Sequence, residues 1–174
     1  MNNKGLWLLV EGDDDERLIK HIENELINGR YLGIQFYQYA QKPQKEIVSF
    51  IRTLNKMGAD YIFLRDLDKE ICVTRRKEKI IERFQDIEVN KILIVKRAIE
   101  AWYLAGLDDL SCKTLGINVF QSTDEIGKPD LLLAVPNRWK SRIDFLQEIL
   151  KKYSIQVAKT KNSSFEHFLV KHFS

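Results

Sequence analysis

The stretch Leu8-Leu9-Val10-Glu11-Gly12-Asp13-Asp14-Asp15-Glu16 constrains the fold most. An apolar run of strand length stops at a glutamate and a glycine, and a block of acids then opens an amphipathic segment. A short, uninterrupted apolar run bounded by turn residues suits a strand buried on both faces, hence a parallel sheet covered by helices. The pattern predicts a strand over Gly5–Val10, a tight turn that Gly12 allows to close, and a helix from Asp13 to about Leu26. Leu18, Ile19, Ile22 and Leu26 fall on one stripe of that helix, and its first turn holds the acids that a helix N-terminus favours. Carboxylates then stand at the strand's carboxyl end, where open α/β sheets hold ligands.

The alternation repeats along the chain. Asn28-Gly29 ends the first helix. Ile34–Tyr39 reads as a second strand and Pro43 as a loop; Ile47, Phe50, Ile51 and Leu54 mark a second helix closed by Gly58. Tyr61–Leu64 is a third strand, running into Arg65-Asp66-Leu67-Asp68-Lys69-Glu70. A charged helix over Thr74–Phe84 and a fourth strand over Ile92–Val95 follow. This β-α-β-α-β-α-β order predicts a parallel sheet with right-handed crossovers and helices on both faces. Beyond it the sequence predicts a short helix at Ile99–Ala105, small helices and loops over 106–137, an amphipathic helix at Ile143–Tyr153 and a short strand at Ile155–Val157. A final helix to Phe173 should start with Ser163 as N-cap and Glu166 at N3. Residues 1–174 are expected to form a single domain, with a core of about 5–105 and a helical insertion and C-terminal extension over 106–174.

The chain has 174 residues, 44% of them hydrophobic and 30% charged, an ordinary globular balance. No run approaches the roughly 20 apolar residues of a membrane span, and the N-terminus lacks a signal-peptide pattern. Cys72 and Cys112 lie far apart without metal-ligand spacing, which points to a cytoplasmic setting and away from zinc or a disulfide framework. His21, His167 and His172 show no ligand spacing and are read as structural or surface residues. The net charge of +3 says little, but residues 1–16 hold five acids against Lys4, whereas residues 138–161 hold seven lysines and arginines against Asp144 and Glu148. Such a split suits a cation site beside a polyanion-binding surface, or simply two solvated faces.

Glu11 follows the first strand, and Asp66 and Asp68 follow the third. Parallel strands put these acids on one edge, where like charges repel unless a cation neutralises them. Carboxylate oxygens of this kind suit Mg2+ or Mn2+. Alternate residues of an extended or turning segment point the same way, so Asp66 and Asp68 can reach one ion. Asp15 is a candidate further ligand, directly or through water. Asp13 and Asp14 fit a helix start without other function.

Val10-Glu11-Gly12 closing one strand and Asp66-Leu67-Asp68 closing another resemble the Toprim domain of topoisomerases, primases and recombination proteins. Arg97-Ala98-Ile99-Glu100-Ala101-Trp102 puts a glutamate just after the fourth strand. This resembles the overcoming-lysogenization-defect (OLD) nuclease branch and small stand-alone Toprim proteins linked to phage defence. Lys161-Asn162-Ser163-Ser164-Phe165 resembles the lysine-bearing segment of that branch. The likeness covers about 5–105 and, loosely, 155–173. It implies a Toprim-like (Rossmann-like) sheet of about four strands. It further implies Glu11, Asp66 and Asp68 as metal ligands with Asp15 and Glu100 in support, and Lys161 or Lys159 as a functional lysine. Two departures stand out: Lys69-Glu70-Ile71 replaces the small residue that often follows the aspartate pair, and the ATPase domain normal in OLD enzymes is missing from the sequence. Haloacid-dehalogenase phosphatases and phospho-receiver domains also place acids at a sheet edge, but their patterns require acids after the first strand that Glu11-Gly12 does not supply.

The expectation that follows is Mg2+-dependent phosphodiester chemistry on nucleic acid, DNA ahead of RNA, in phage defence or repair. Glu11, Asp66, Asp68 and Lys161 would form the catalytic set. Arg97, Arg138, Lys140, Arg142 and Lys159 would hold the nucleic acid, with Trp139 a candidate stacking platform. The rival expectation is a non-catalytic module that binds nucleotide or nucleic acid beside an ATPase partner; a homodimer is compatible with either.

Overall fold

A computed structural model describes residues 4–27 and 30–173; the expected helix stop at Asn28-Gly29 lies outside the described residues. The chain divides into two compact units, one running to Ile94 with Phe173, the other from Val95 to His172.

The first unit carries the sheet. Strands β1 (Lys4–Val10), β2 (Tyr31–Gln38), β3 (Asp60–Asp66) and β4 (Ile92–Val95) lie in the order β2-β1-β3-β4, all parallel. Side chains alternate across a strand, and both faces of this sheet are covered. Leu9, Tyr61 and Phe63 join Ile47, Ile51 and Leu54 of α2 (Gln44–Met57) and Ile80 and Phe84 of α3 (Val73–Phe84) in one core. Phe63 stacks on Tyr39, with centroids 4.5 Å apart, and meets Phe84 at 5.3 Å. Leu6, Leu8, Val10, Ile62 and Leu64 point the other way and are also buried, and α1 (Asp13–Leu26) buries Leu18, Ile19, Ile22 and Leu26. Each such side chain contributes about 1.5–3 kcal/mol of burial, which is why these apolar runs fix the register.

Two local expectations change. β2 begins at Tyr31, not Ile34, because Tyr31 already pairs with Lys4. Gly12 sits at φ −164°, an extended conformation open to any residue, and a Cβ there would meet nothing within 4 Å. The turn therefore does not require glycine. Gly58 does satisfy a backbone demand, closing α2 in the left-handed region at φ +59°.

The second unit is helical: α4 (Ile99–Ala105), α5 (Asp109–Leu115), α6 (Lys128–Ala134), α7 (Arg142–Leu150), α8 (Ile155–Lys161) and α9 (Ser163–Phe173). Every residue of α4 is buried, and α6, α7 and α8 pack against it. The Trp102 ring meets Phe165 and Phe168 at 5.0 and 5.2 Å. Its Nε1 donates to Ser164 Oγ at 2.8 Å, and that hydroxyl donates in turn to Asn162 Oδ1 at 2.8 Å.

The short strand expected at Ile155–Val157 is instead the first turn of α8. Ser154 caps it, accepting from the Val157 N–H at 3.3 Å, and the cap with tertiary packing outweighs the strand preference of Ile and Val. The final helix is capped by Asn162, whose Oδ1 accepts from the Phe165 N–H at 3.0 Å. Ser163 turns away to Asp124, so the N-cap lies one residue before the expected one and, with Phe165 at N3, the expected capping box does not form. Among the described residues, no helix is long and apolar enough to cross a membrane.

Candidate active-site edge

β1 neighbours β2 on one side and β3 on the other. The order of connection reverses between β1 and β3, and such a switch point is where open α/β sheets form a crevice at their carboxyl ends. Leu9 pairs with Phe63, so Glu11 and the Arg65-Asp66 segment emerge together at that edge. Glu11 Oε1 lies 2.6 Å from Arg65 Nη1, with both side chains 23% exposed. Asp66 is buried. Asp68 is exposed and sits at φ +54°, a region that non-glycine residues visit seldom and that clusters at functional sites. Arg76 of α3 staples this turn: Nε donates to the Asp66 carbonyl at 2.8 Å and Nη2 to Asp68 Oδ2 at 2.5 Å. Arg65 also feels the charge of Asp68, besides that of Glu11.

Two neighbours of this edge have other work. Asp15, buried in the first turn of α1, accepts from the Gly12 N–H at 3.2 Å and so helps to cap the helix. Burial, with the Glu11 charge beside it, pushes the Tyr39 phenol well above its usual pKa. The phenol donates to the Leu64 carbonyl at 2.7 Å; it is a hydrogen-bond donor, not a nucleophile in waiting.

Among the described residues, no three His, Cys, Asp or Glu side chains gather closely enough to hold a metal ion. Glu11 is turned to Arg65, Asp68 to Arg76 and Asp15 to its cap. The donor chemistry nevertheless suits a hard cation, since carboxylate oxygens share one edge and guanidinium groups now provide the countercharge.

In the second unit Glu100 stands in the first turn of α4 and is 2% exposed. Its Oε1 accepts from Arg142 Nη2 at 2.9 Å. Its Oε2 is buried and has no hydrogen-bond partner among the described residues, an arrangement that costs free energy and calls for an explanation. Arg142, expected on the nucleic-acid surface, is the counterion of this acid. Lys161 donates to the Leu107 carbonyl at 2.7 Å and lies 3.8 Å from Asp109. Lys159 is exposed, with no ion pair among the described residues. Arg97, at φ +62°, forks onto Glu125 through Nε and Nη2 at 3.0 and 2.7 Å. Arg138 bonds the Thr114 carbonyl at 2.6 Å and lies over the Trp139 ring, while Lys140 is exposed.

Sequence reasoning missed Arg65 and Arg76. Arg65 had a signal, a charge closing the apolar Tyr61–Leu64 run. Arg76 had none, because its role depends on where α3 docks.

These features define a parallel α/β fold of the Toprim type, with acids at the switch point. The C-terminal region of the Burkholderia pseudomallei OLD protein shares this fold, at 15% identity, over 98% of this chain and 97% of that one, with a TM-score of 0.58. So does the C-terminal region of the Xanthomonas campestris pv. campestris OLD protein, at 15% identity, over 98% and 92%, with a TM-score of 0.55. No family model and no curated protein sequence matches the chain. At this identity the likeness establishes the fold alone, the one these OLD C-terminal regions share.

Proposed function

We propose that this protein cleaves phosphodiester bonds of nucleic acid with a divalent metal, acting at the edge between β1 and β3. The observation that carries this reading is that Glu11 and the Asp66-Leu67-Asp68 turn emerge at one sheet edge, at the strand-order switch point. Glu11, Asp66 and Asp68 would hold Mg2+ or Mn2+, and Glu100 is the supporting ligand that the family resemblance implies. When bound, such an ion supplies Lewis-acid charge to the scissile phosphate. Arg65, released from Glu11, would turn to the phosphate oxygens and offset the charge that develops there. Arg76 would keep the aspartates in register. Glu11 would take up the proton of the attacking water. Asp15 would serve through its cap, fixing the start of α1 behind Glu11. Of the two candidate lysines, Lys159 is the better placed to meet a substrate, and Lys161 to anchor α8. Arg97, Arg138, Lys140 and Lys159 would hold the sugar-phosphate backbone without reading sequence, DNA ahead of RNA, so affinity should fall with salt.

A second reading has its own support. The neighbours are C-terminal regions of longer proteins, and this chain spans almost all of each. On that reading it is a module that acts beside an ATPase partner.

The test is cleavage of single- and double-stranded DNA and RNA with Mg2+ or Mn2+, by the wild type, Glu11→Gln and Asp66→Asn. Either substitution should lower the rate by about 10²-fold or more. Cleavage that survives both changes overturns the assignment, as does its absence on every substrate.

A further inference from the structure

A cavity of about 200 Å3 opens beside Glu11, bounded by Tyr39, Lys42, Arg65, Arg83 and Phe84. Tyr39 and Phe84 belong to the packed core and give the cavity a fixed apolar wall. The polar lining is unbalanced, with three cations against one acid. Arg65 is matched by Glu11 at 2.6 Å. Lys42 is held by Glu46 at 2.7 Å, a residue outside the lining, and Glu46 is itself exposed. Arg83 lies over the Phe84 ring at 5.2 Å and has no carboxylate partner among the described residues.

The volume equals roughly six or seven waters. That accommodates one tetrahedral anion with part of its hydration, but not a nucleoside as well. Two guanidinium groups and an ammonium favour phosphate oxygens. Arg83 is unmatched among the described residues, and Lys42 is held only in an exposed pair that is easily exchanged. Two cations can therefore turn to the ligand, which matches a dianion better than the single charge of a diester. We propose that this cavity binds a phosphate monoester group. In a nucleic-acid strand only a terminal phosphate has that charge, so the cavity would seat a phosphorylated strand end beside Glu11. The choice of a strand end rests on the nuclease reading; the phosphate site itself does not.

The experiment is equilibrium binding to the full chain in EDTA, where no metal-dependent step occurs and a failure of the nuclease reading cannot affect the result. The probes are a labelled single strand bearing a 5′-phosphate, a 3′-phosphate or hydroxyl ends, and, separately, a nucleoside monophosphate and inorganic phosphate. A phosphorylated end should bind about tenfold tighter than the hydroxyl strand. Arg83→Met and Lys42→Met should remove most of that preference. Lys56→Met, the same charge change at the far end of α2, should leave it intact. If only the monophosphate or inorganic phosphate binds in an Arg83-dependent way, the site stands and its source is a free phosphate. Equal binding of all strands with no Arg83-dependent binding of the small anions overturns the proposal, as does a preference that survives Arg83→Met combined with Lys42→Met.

Discussion

Glu11 and Glu100 each stand just past the end of a strand, and each meets one arginine, yet their surroundings differ. Glu11 and Arg65 are both 23% exposed and can be rehydrated. Glu100 is 3% exposed at its side chain, Arg142 is 29% exposed, and the second carboxylate oxygen is buried without a partner. A half-wet ion pair can trade one cation for another at little cost. A buried carboxylate cannot lose its counterion without leaving an uncompensated charge. The pair at the sheet edge is therefore suited to exchange its partner for substrate or metal, whereas the pair on α4 is built to stay.

The sharpest way to break this contrast is to remove the two arginines separately. Arg142→Met should destabilise the protein by about 3 kcal/mol, near the lower end for breaking a buried pair because the guanidinium is partly solvated. Arg65→Met should cost under about 1 kcal/mol. Adding Glu100→Leu to Arg142→Met should recover most of the loss, since replacing both partners removes the stranded charge. Urea unfolding of the four proteins measures this. Equal losses for Arg142→Met and Arg65→Met would show that Glu100 is not the more committed acid.

The same contrast bears on what the residues disclosed. The strand-turn-helix at Leu8–Glu16 was legible because a buried parallel strand and a helix with acids in its first turn leave local periodic marks. The bounds Asp13–Leu26, Ile92–Val95 and Ile99–Ala105 follow from such marks. Ile155–Val157 was misread because Ile and Val favour strands, while Ser154 immediately before them provides the helix cap. At the sheet edge, the acids were visible as strand-end residues, but their arginine partners were not. Glu11 meets Arg65 across neighbouring strands, and Asp68 meets Arg76 across a docked helix; no spacing in a single sequence records either contact. Arg142, 42 residues from Glu100, was for the same reason read as a surface cation.

Two glycines extend the comparison to backbone packing. A Cβ at Gly106 would lie 2.2 Å from the Tyr153 ring, which is held by a 3.1 Å bond from its hydroxyl to the Trp102 carbonyl. Gly106→Ala should therefore cost about 2 kcal/mol through overpacking. At Gly12 a Cβ meets nothing, and Gly12→Ala should change stability by less than about 0.5 kcal/mol. Thermal unfolding at one scan rate separates the two; a large loss at Gly12 would return to that turn the backbone role the sequence first suggested.

Asp124 provides an intermediate case, and pH tests it. Its carboxylate accepts from Lys96 Nζ at 2.9 Å and from the Ser163 N–H and hydroxyl at 2.9 and 2.8 Å. Partial burial pushes its pKa up, but these bonds outweigh that effect and hold it below the ordinary value of 3.8. A depressed folded-state pKa means that the ionised form is bound more tightly in the native chain, so its stabilisation is full above the unfolded pKa and is lost as pH falls through the lower folded value. Asp124→Asn should therefore be less stable than the wild type at neutral pH, with the gap beginning to narrow below about pH 4, where the unfolded chain takes up its proton, and closing only once pH falls below the lower folded value. Denaturant midpoints from pH 7 down to pH 3 measure it. A gap that is constant with pH would mean that the clamp at Asp124 works through hydrogen bonds independent of charge, and would set Asp124 apart from both charged pairs.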